Sequence, residues 1–487
     1  MKVDKSKILR IFSAFCILHS AFLICANAQE TQPVPSAPKS VSVPAVKEKK
    51  LPNNLTVAII ERGTIPLVTI NLVIKSGAET EEKEKAGLAN LTAALLTKGT
   101  KTLTATQIAE QIEFLGGSIN SGANWNNSVV SVNITSDKLE QALAIMSDVV
   151  LNPNFDQKEI DLLKTQTLDS LTYNLKQPSF LANYVASAYS YNEHPASGTP
   201  VSIGTITRTD ITGFHQKNFE PQNTVLIFAG DITASKAESL ATQFFGKWKN
   251  QTNSQTTTLK NTVSRNQTTK RILVVDLPNS GQAAVNYTKN LQGVPRSKQN
   301  LFFPATVLNS LLGGGYSSRL NQEIRIKRGL SYGAGSSFAW RESYSNFGTR
   351  TQTKNESAAE VAELVLAEVN KLTDGSITES ELTPRKSVLT GDFGRNLETT
   401  QGLAAAVADL YSFGLPASEL NSYVKNVQTV SDKQIMDFAS ANLMGGDVVI
   451  VGDYAKFRDD LAKRFPNVKV KLIKASELDL SKESLQK

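Results

Sequence analysis

Thiols and imidazoles are scarce in this 487-residue chain, which holds two cysteines and three histidines. Both cysteines, Cys16 and Cys25, fall within the first 28 residues, so the rest of the chain offers no disulfide and no thiolate ligand or nucleophile. Beyond that stretch only His194 and His215 remain, 21 residues apart and off helical spacing, which is too little for a histidine-based zinc site. Long apolar runs are also missing. The longest, residues 11–25, falls short of the roughly 20 residues that a bilayer span needs. No basic stripe is interleaved with aromatic residues, so nucleic-acid binding has no support and the scattered Lys and Arg read as a solvated surface.

What the first residues do contain is a secretory pattern. Lys2, Lys5, Lys7 and Arg10 precede the apolar run, and Ala26-Asn27-Ala28 supplies small residues before Gln29. A signal peptide cleaved near Ala28 is expected, and with it secretion, in a bacterium to the periplasm. Bulky Ile24 before Cys25 disfavours a lipoprotein signal. Setting aside 1–28 removes four Lys/Arg and one Asp, leaving 48 basic against 44 acidic residues, or +4 in place of +7. The remaining chain is too long for one core and points to two domains.

Composition marks the joints. The expected division is a flexible Pro-rich tether at 29–50, a first domain at 51–249, a polar linker at 250–270, a second domain at 271–474 and a polar tail at 475–487. The two long segments echo each other. Apolar TVLIFAGD at 224–231 is followed by an amphipathic stretch, and so is DVVIVGD at 447–453. Two β-branched runs about a turn at 54–76 have their counterpart at 271–288. Helical patterns at 104–115, 136–151 and 156–175 are matched by 356–372 and 379–396. Strands mixed with helices in this way predict an α+β domain present twice. Duplication by itself says nothing about catalysis.

Residues 87–100 read GLANLTAALLTKGT. This stretch resembles the signature helix of the M16 peptidases (pitrilysin, insulinase and processing-peptidase type) with its chemistry removed. In that family H-x-x-E-H sets two histidines on one helical face to hold zinc, with a glutamate between them as general base. Asn90, Ala93 and Ala94 occupy those three places here. Alanine has no lone pair for a metal and no proton to exchange. The family's third ligand, a glutamate on the following helix, falls near 164–169, where Asp169 alone could coordinate and has no first pair to complete. No metal is therefore expected in this chain.

The resemblance extends over nearly the whole chain beyond residue 28. In the second half it is carried by LLGGGYSSRLNQEIRIKRGLSY at 311–332, a glycine run and Ser318-Arg319-Leu320 ending in Arg325-x6-Tyr332. The resemblance implies two homologous α/β domains forming half of a clamshell. It also implies that Arg325 and Tyr332 reach toward a zinc site on a facing domain, where a guanidinium and a phenol act as hydrogen-bond donors to the substrate carbonyl and the developing oxyanion. Arg319 and Arg328 are better read as scaffold ion pairs. Gly313-Gly314-Gly315 lacks the Gly-Lys-Ser/Thr of a phosphate loop and is either a lip guiding an extended peptide or a turn needing positive φ. Asn120, in the stretch 116–120, sits where the family's edge strand takes substrate as a further strand.

These readings lead to a non-catalytic subunit of a secreted M16-type zinc protease. It pairs with a separate chain that carries H-x-x-E-H and Zn2+, and it contributes Arg325 and Tyr332 in trans to hydrolysis of peptides or unfolded polypeptides. The alternative is a catalytically inert scaffold or peptide-binding pseudoprotease.

Overall fold

In the computed structural model the described residues are 41–250, 271–482 and 484–487. The expected signal peptide, the tether up to residue 40 and residues 251–270 of the linker lie outside them. Two six-stranded sheets dominate, as the duplicated pattern requires. The first runs β1-β2-β6-β3-β5-β4, from β1 (Val46–Lys50), β2 (Thr56–Glu61), β3 (Leu67–Ile74), β4 (Ser118–Ala123), β5 (Ser128–Thr135) and β6 (Thr224–Gly230). The second runs β12-β7-β11-β8-β10-β9, from β7 (Arg271–Asp276), β8 (Ala283–Gln292), β9 (Ala334–Trp340), β10 (Tyr344–Thr353), β11 (Asp447–Gly452) and β12 (Val470–Lys474). From the second position to the far edge the two sheets match in order and direction: β2 and β6 are parallel, as are β7 and β11, and the remaining neighbours are antiparallel. The mixed α/β fold is thus present twice.

Three expectations are corrected. The two β-branched runs at 54–76 do not pair with each other, because β6, buried along its whole length, lies between β2 and β3. The same insertion places β11 between β7 and β8. Residues 46–50, expected as tether, form edge strand β1 against β2, with Lys47 reaching Glu61 at 2.7 Å. The tail is polar in composition, yet Leu480 and Leu485 are buried and join the first core.

The halves are interlocked by exchanged helices. Helix Pro178–Tyr189, from the first half, packs on β8 and β11 of the second sheet. Helix Thr400–Ser412, from the second half, lays Leu403, Ala404 and Val407 on Ile60, Val225 and Ile227 of the first sheet. Each central strand therefore has both faces covered, which explains why β6 and β11 read as continuous apolar runs and not as alternating ones. Polar groups fix the seam: Asn127 Nδ2 donates to Ser412 Oγ at 2.6 Å, Asn286 Nδ2 donates to Asn183 Oδ1 at 2.8 Å, and Ser190 Oγ donates to Asp447 Oδ2 at 2.9 Å.

A second seam device is ionic. Glu193, in the loop after helix Pro178–Tyr189, is nearly enclosed and accepts four hydrogen bonds from the β9–β10 hairpin. Arg341 donates through Nε at 2.8 Å and Nη2 at 2.9 Å, Tyr344 through its hydroxyl at 2.8 Å, and Asn346 through Nδ2 at 2.7 Å. Trp125 lies beneath the Arg341 guanidinium, 5.0 Å from ring centroid to Cζ.

Candidate functional site

The degenerate signature forms helix Leu88–Leu95. Its first turn is held by a residue that the sequence did not single out. Glu81, buried, accepts from the amides of Gly87 at 2.8 Å and Ala89 at 2.7 Å, and its Oε1 lies 3.0 Å from His194 Nε2. Two otherwise orphaned helix donors are satisfied in this way, and a carboxylate is well placed at the positive end of a helix. Burial pushes the Glu81 carboxyl pKa up, opposed by His194 and the two amides. His194 also packs on Trp125, with ring centroids 5.0 Å apart. His215 is a packing residue, hydrogen-bonded to the Val150 carbonyl at 2.9 Å and set between Phe155 and Phe219.

Asn90 faces a hollow of about 290 Å³ that it shares with Gln166, Thr167, Ser170 and Asn174 of helix Gln157–Asn174. Asp169, the one candidate third ligand, is not among its lining residues. Ala93 is fully buried, and its carbonyl accepts from Ser121 Oγ at 2.7 Å. Amides, hydroxyls and apolar groups neither ligate zinc well nor exchange a proton at neutral pH, so these residues do not fit a zinc site. Among the described residues no three His, Cys, Asp or Glu side chains come together as a metal would require.

Ser121 belongs to β4, which is the outer strand of the first sheet. Asn120 pairs with Ser131 of β5, and among the described residues the other side of β4 meets no backbone hydrogen bond. The expected edge strand therefore exists, beside the degenerate helix. Its counterpart β9 is closed. The Ser336 amide donates to the Gly313 carbonyl at 3.2 Å, the Ala334 amide to Asn321 Oδ1 at 3.2 Å, and the Trp340 carbonyl accepts from Asn126 Nδ2 at 3.1 Å.

That closure accounts for part of the glycine run. Gly313, Gly314 and Gly315 all lie outside the positive-φ set, so a left-handed turn is not their reason. A Cβ on Gly313 would lie 2.5 Å from Ser336 Oγ and closer still to the Ser336 amide, and one on Gly314 would lie 2.7 Å from Ser310 Cα. Close approach to β9 demands glycine at 313, and close approach to the end of helix Gln299–Leu312 demands it at 314. Gly315 has open space around its Cα and is free of that constraint.

The three glycines form one wall of a cleft of about 740 Å³, to which Arg325 and Arg350 contribute the charge. Arg325 sits in a single π-helical turn, Asn321–Ile326, a distortion often found where a side chain is aimed for function. Its guanidinium lies over the Tyr316 ring at 4.9 Å. Tyr332 does not line this cleft and is 90% exposed. The structure thus keeps the two signature donors on one short segment without bringing them together within the chain. Arg319 and Arg328 are scaffold residues as expected: Arg319 grips Glu381 in a fork at 2.8 and 2.7 Å, and Arg328 pairs with Glu323.

Comparison with known proteins now decides the family. Residues 56–198 match the family described as "Insulinase (Peptidase family M16)", and 205–389 match "Peptidase M16 inactive domain". The chain belongs to the M16 peptidase family. It is 25% identical over 389 residues to an "Uncharacterized zinc protease" of Rickettsia felis, covering 78% of this chain and 91% of that protein. It is 26% identical over 399 residues to "Non-peptidase homolog YmxG" of Helicobacter pylori, covering 78% and 88%. Among solved structures it resembles a protease from Helicobacter pylori, with TM-score 0.78 at 21% identity over 84% of this chain and 100% of that one. It also resembles a peptidase M16 inactive domain from Pseudomonas fluorescens, with TM-score 0.74 at 24% identity over 84% and 98%. These structural likenesses establish the two-domain M16 fold. With Asn90, Ala93 and Ala94 in the motif, this M16 chain is of the inactive type.

Proposed function

We propose that this M16 chain is the non-catalytic subunit of a secreted, periplasmic zinc protease, paired with a chain that carries H-x-x-E-H and the metal. In that pair Arg325 and Tyr332 bind the peptide carbonyl and stabilise the tetrahedral oxyanion, while β4 receives the peptide as an added strand. The observation that carries the reading is that both donors are kept out of the fold's own bonding. Among the described residues neither side chain takes part in a hydrogen bond or ion pair, and Tyr332 is 90% exposed. A phenol and a guanidinium whose hydrogen-bond donors are unused in this way are available to a facing subunit, and the open edge of β4 supplies the backbone groups that an extended peptide needs.

The test is to mix the chain with a zinc-bearing M16 chain of the same cell. A heterodimer burying well over about 1,000 Å² is expected. Tyr332→Phe and Arg325→Ala should each lower kcat of the mixture by about 10²–10³ with assembly unchanged, as for other oxyanion donors. Full activity in both variants overturns the catalytic role. A second reading, an inert peptide-binding scaffold, draws support from Arg325 lying in the cleft over Tyr316 and not beside Tyr332. It expects a raised KM, or lost binding, with kcat unchanged.

A further inference from the structure

The cleft beside the sealed edge of β9 has a chemical character of its own. Its lining includes two arginines, Arg325 and Arg350, and no Asp or Glu. Neither guanidinium is engaged by a carboxylate or a carbonyl among the described residues, whereas Arg271, Arg319 and Arg341 each hold a carboxylate in a two-pronged grip. Arg350 lies opposite Gly335 across β9 and β10, and its side chain runs over that glycine, with Nε in ordinary contact range of where a Cβ would stand, 3.8 Å. Ser179, in the first turn of helix Pro178–Tyr189, also lines the cleft, where its Oγ donates to Gln352 Oε1 at 3.0 Å.

We propose that this cleft recognises a carboxylate of an extended peptide, with Arg350 and Arg325 as the cationic clamp. A planar guanidinium matches a carboxylate in a two-pronged contact, and two of them in a site with no acidic residue reject basic peptides as they accept acidic ones. The volume suits a terminal residue or an acidic side chain. This names the substrate class for the proposed peptide site and rests on the reading that the chain binds peptide. It does not depend on the partner, on zinc or on Tyr332.

The experiment therefore uses the single chain. A fluorescently labelled hexapeptide ending Glu-Glu with a free C-terminus is titrated and followed by anisotropy, beside the same peptide amidated and a version with both glutamates changed to glutamine. Saturable binding that weakens about tenfold or more when the peptide's carboxylates are neutralised is expected, as charge-assisted contacts require. Loss on amidation identifies the α-carboxylate, and loss on Glu-to-Gln change identifies the side chains. Arg350→Gln should weaken binding by a similar factor. Equal affinity for charged and neutral peptides, or full binding by a folded Arg350→Gln variant, overturns the proposal. Both results can hold while the mixed enzyme still depends on Tyr332, so the two readings fail separately.

Discussion

Removing the Glu193 carboxylate should loosen the two halves markedly. The Glu193 and Arg341 side chains are 4% and 12% exposed, and their fork spans the seam. Glu193→Ala leaves a buried guanidinium without a counter-charge, a loss of about 3–5 kcal/mol when one member of a buried pair is deleted. It also strips the Tyr344 hydroxyl and the Asn346 amide of their acceptor, each costing about 1–3 kcal/mol unless water enters the space. Water access makes the lower end of each range apply, so about 5 kcal/mol is expected in all. Glu193→Gln keeps one oxygen acceptor, replaces the other with a donor and removes the charge, and should cost about half as much. Urea unfolding followed by circular dichroism gives both values. Adding Arg341→Met to Glu193→Ala should recover part of the loss, because the unpaired charge is gone, with a coupling of about 2 kcal/mol. A cost under about 1 kcal/mol for Glu193→Ala, or strict additivity in the double variant, would refute the clasp as an energetic link between the halves.

Two further outcomes follow from local geometry. The Glu79 carboxyl is raised from 4.5 to about 8, first by burial and then by the nearby Glu342, with Arg341 opposing and Glu193 adding. Its folded value lies above its unfolded one, so the stability tied to neutral Glu79 is complete below about pH 4.5 and is lost as pH rises toward about 8, by at most about 1.4 kcal/mol per pH unit. Glu79→Gln should therefore gain on the parent as the buffer moves from about pH 5 to 8, and a urea-midpoint difference that does not change with pH contradicts the assignment. Gly313→Ala drives a methyl into Ser336 and should cost about 1–3 kcal/mol in thermal or urea unfolding, while Gly315→Ala, with open space around it, should stay within about 0.5 kcal/mol.

What was legible in the sequence is what depends on short segments. β6 and β11 announced themselves because a strand covered on both faces reads as a continuous apolar run, and each closes on a glycine followed by aspartate. The lost zinc chemistry was legible because Asn90, Ala93 and Ala94 lack the needed atoms in any conformation. What depends on long-range choice was not legible. An apolar helix face says that something covers it and not which sheet does, so the exchange of helices Pro178–Tyr189 and Thr400–Ser412 left no signal. Nor does a sequence pair Glu193 with Arg341 across 148 positions, or Glu81 with His194 across 113.

The duplicated halves differ most where a peptide would meet them. Both sheets end in an antiparallel strand at the same topological position, and an unprotected edge there invites pairing with another chain. At β9 the fold spends a glycine, two asparagine side chains and a π-helical turn on closing that edge, and Arg325 emerges from the same turn. At β4 nothing comparable is present among the described residues, and the strand is of small and polar residues, Ser118, Asn120, Ser121 and Gly122, which limit self-association without blocking a guest strand. One repeat has therefore diverged into an edge available for backbone pairing and a closed edge that carries charge. A peptide seated by both would be read for extended shape at the first and for its carboxylate at the second.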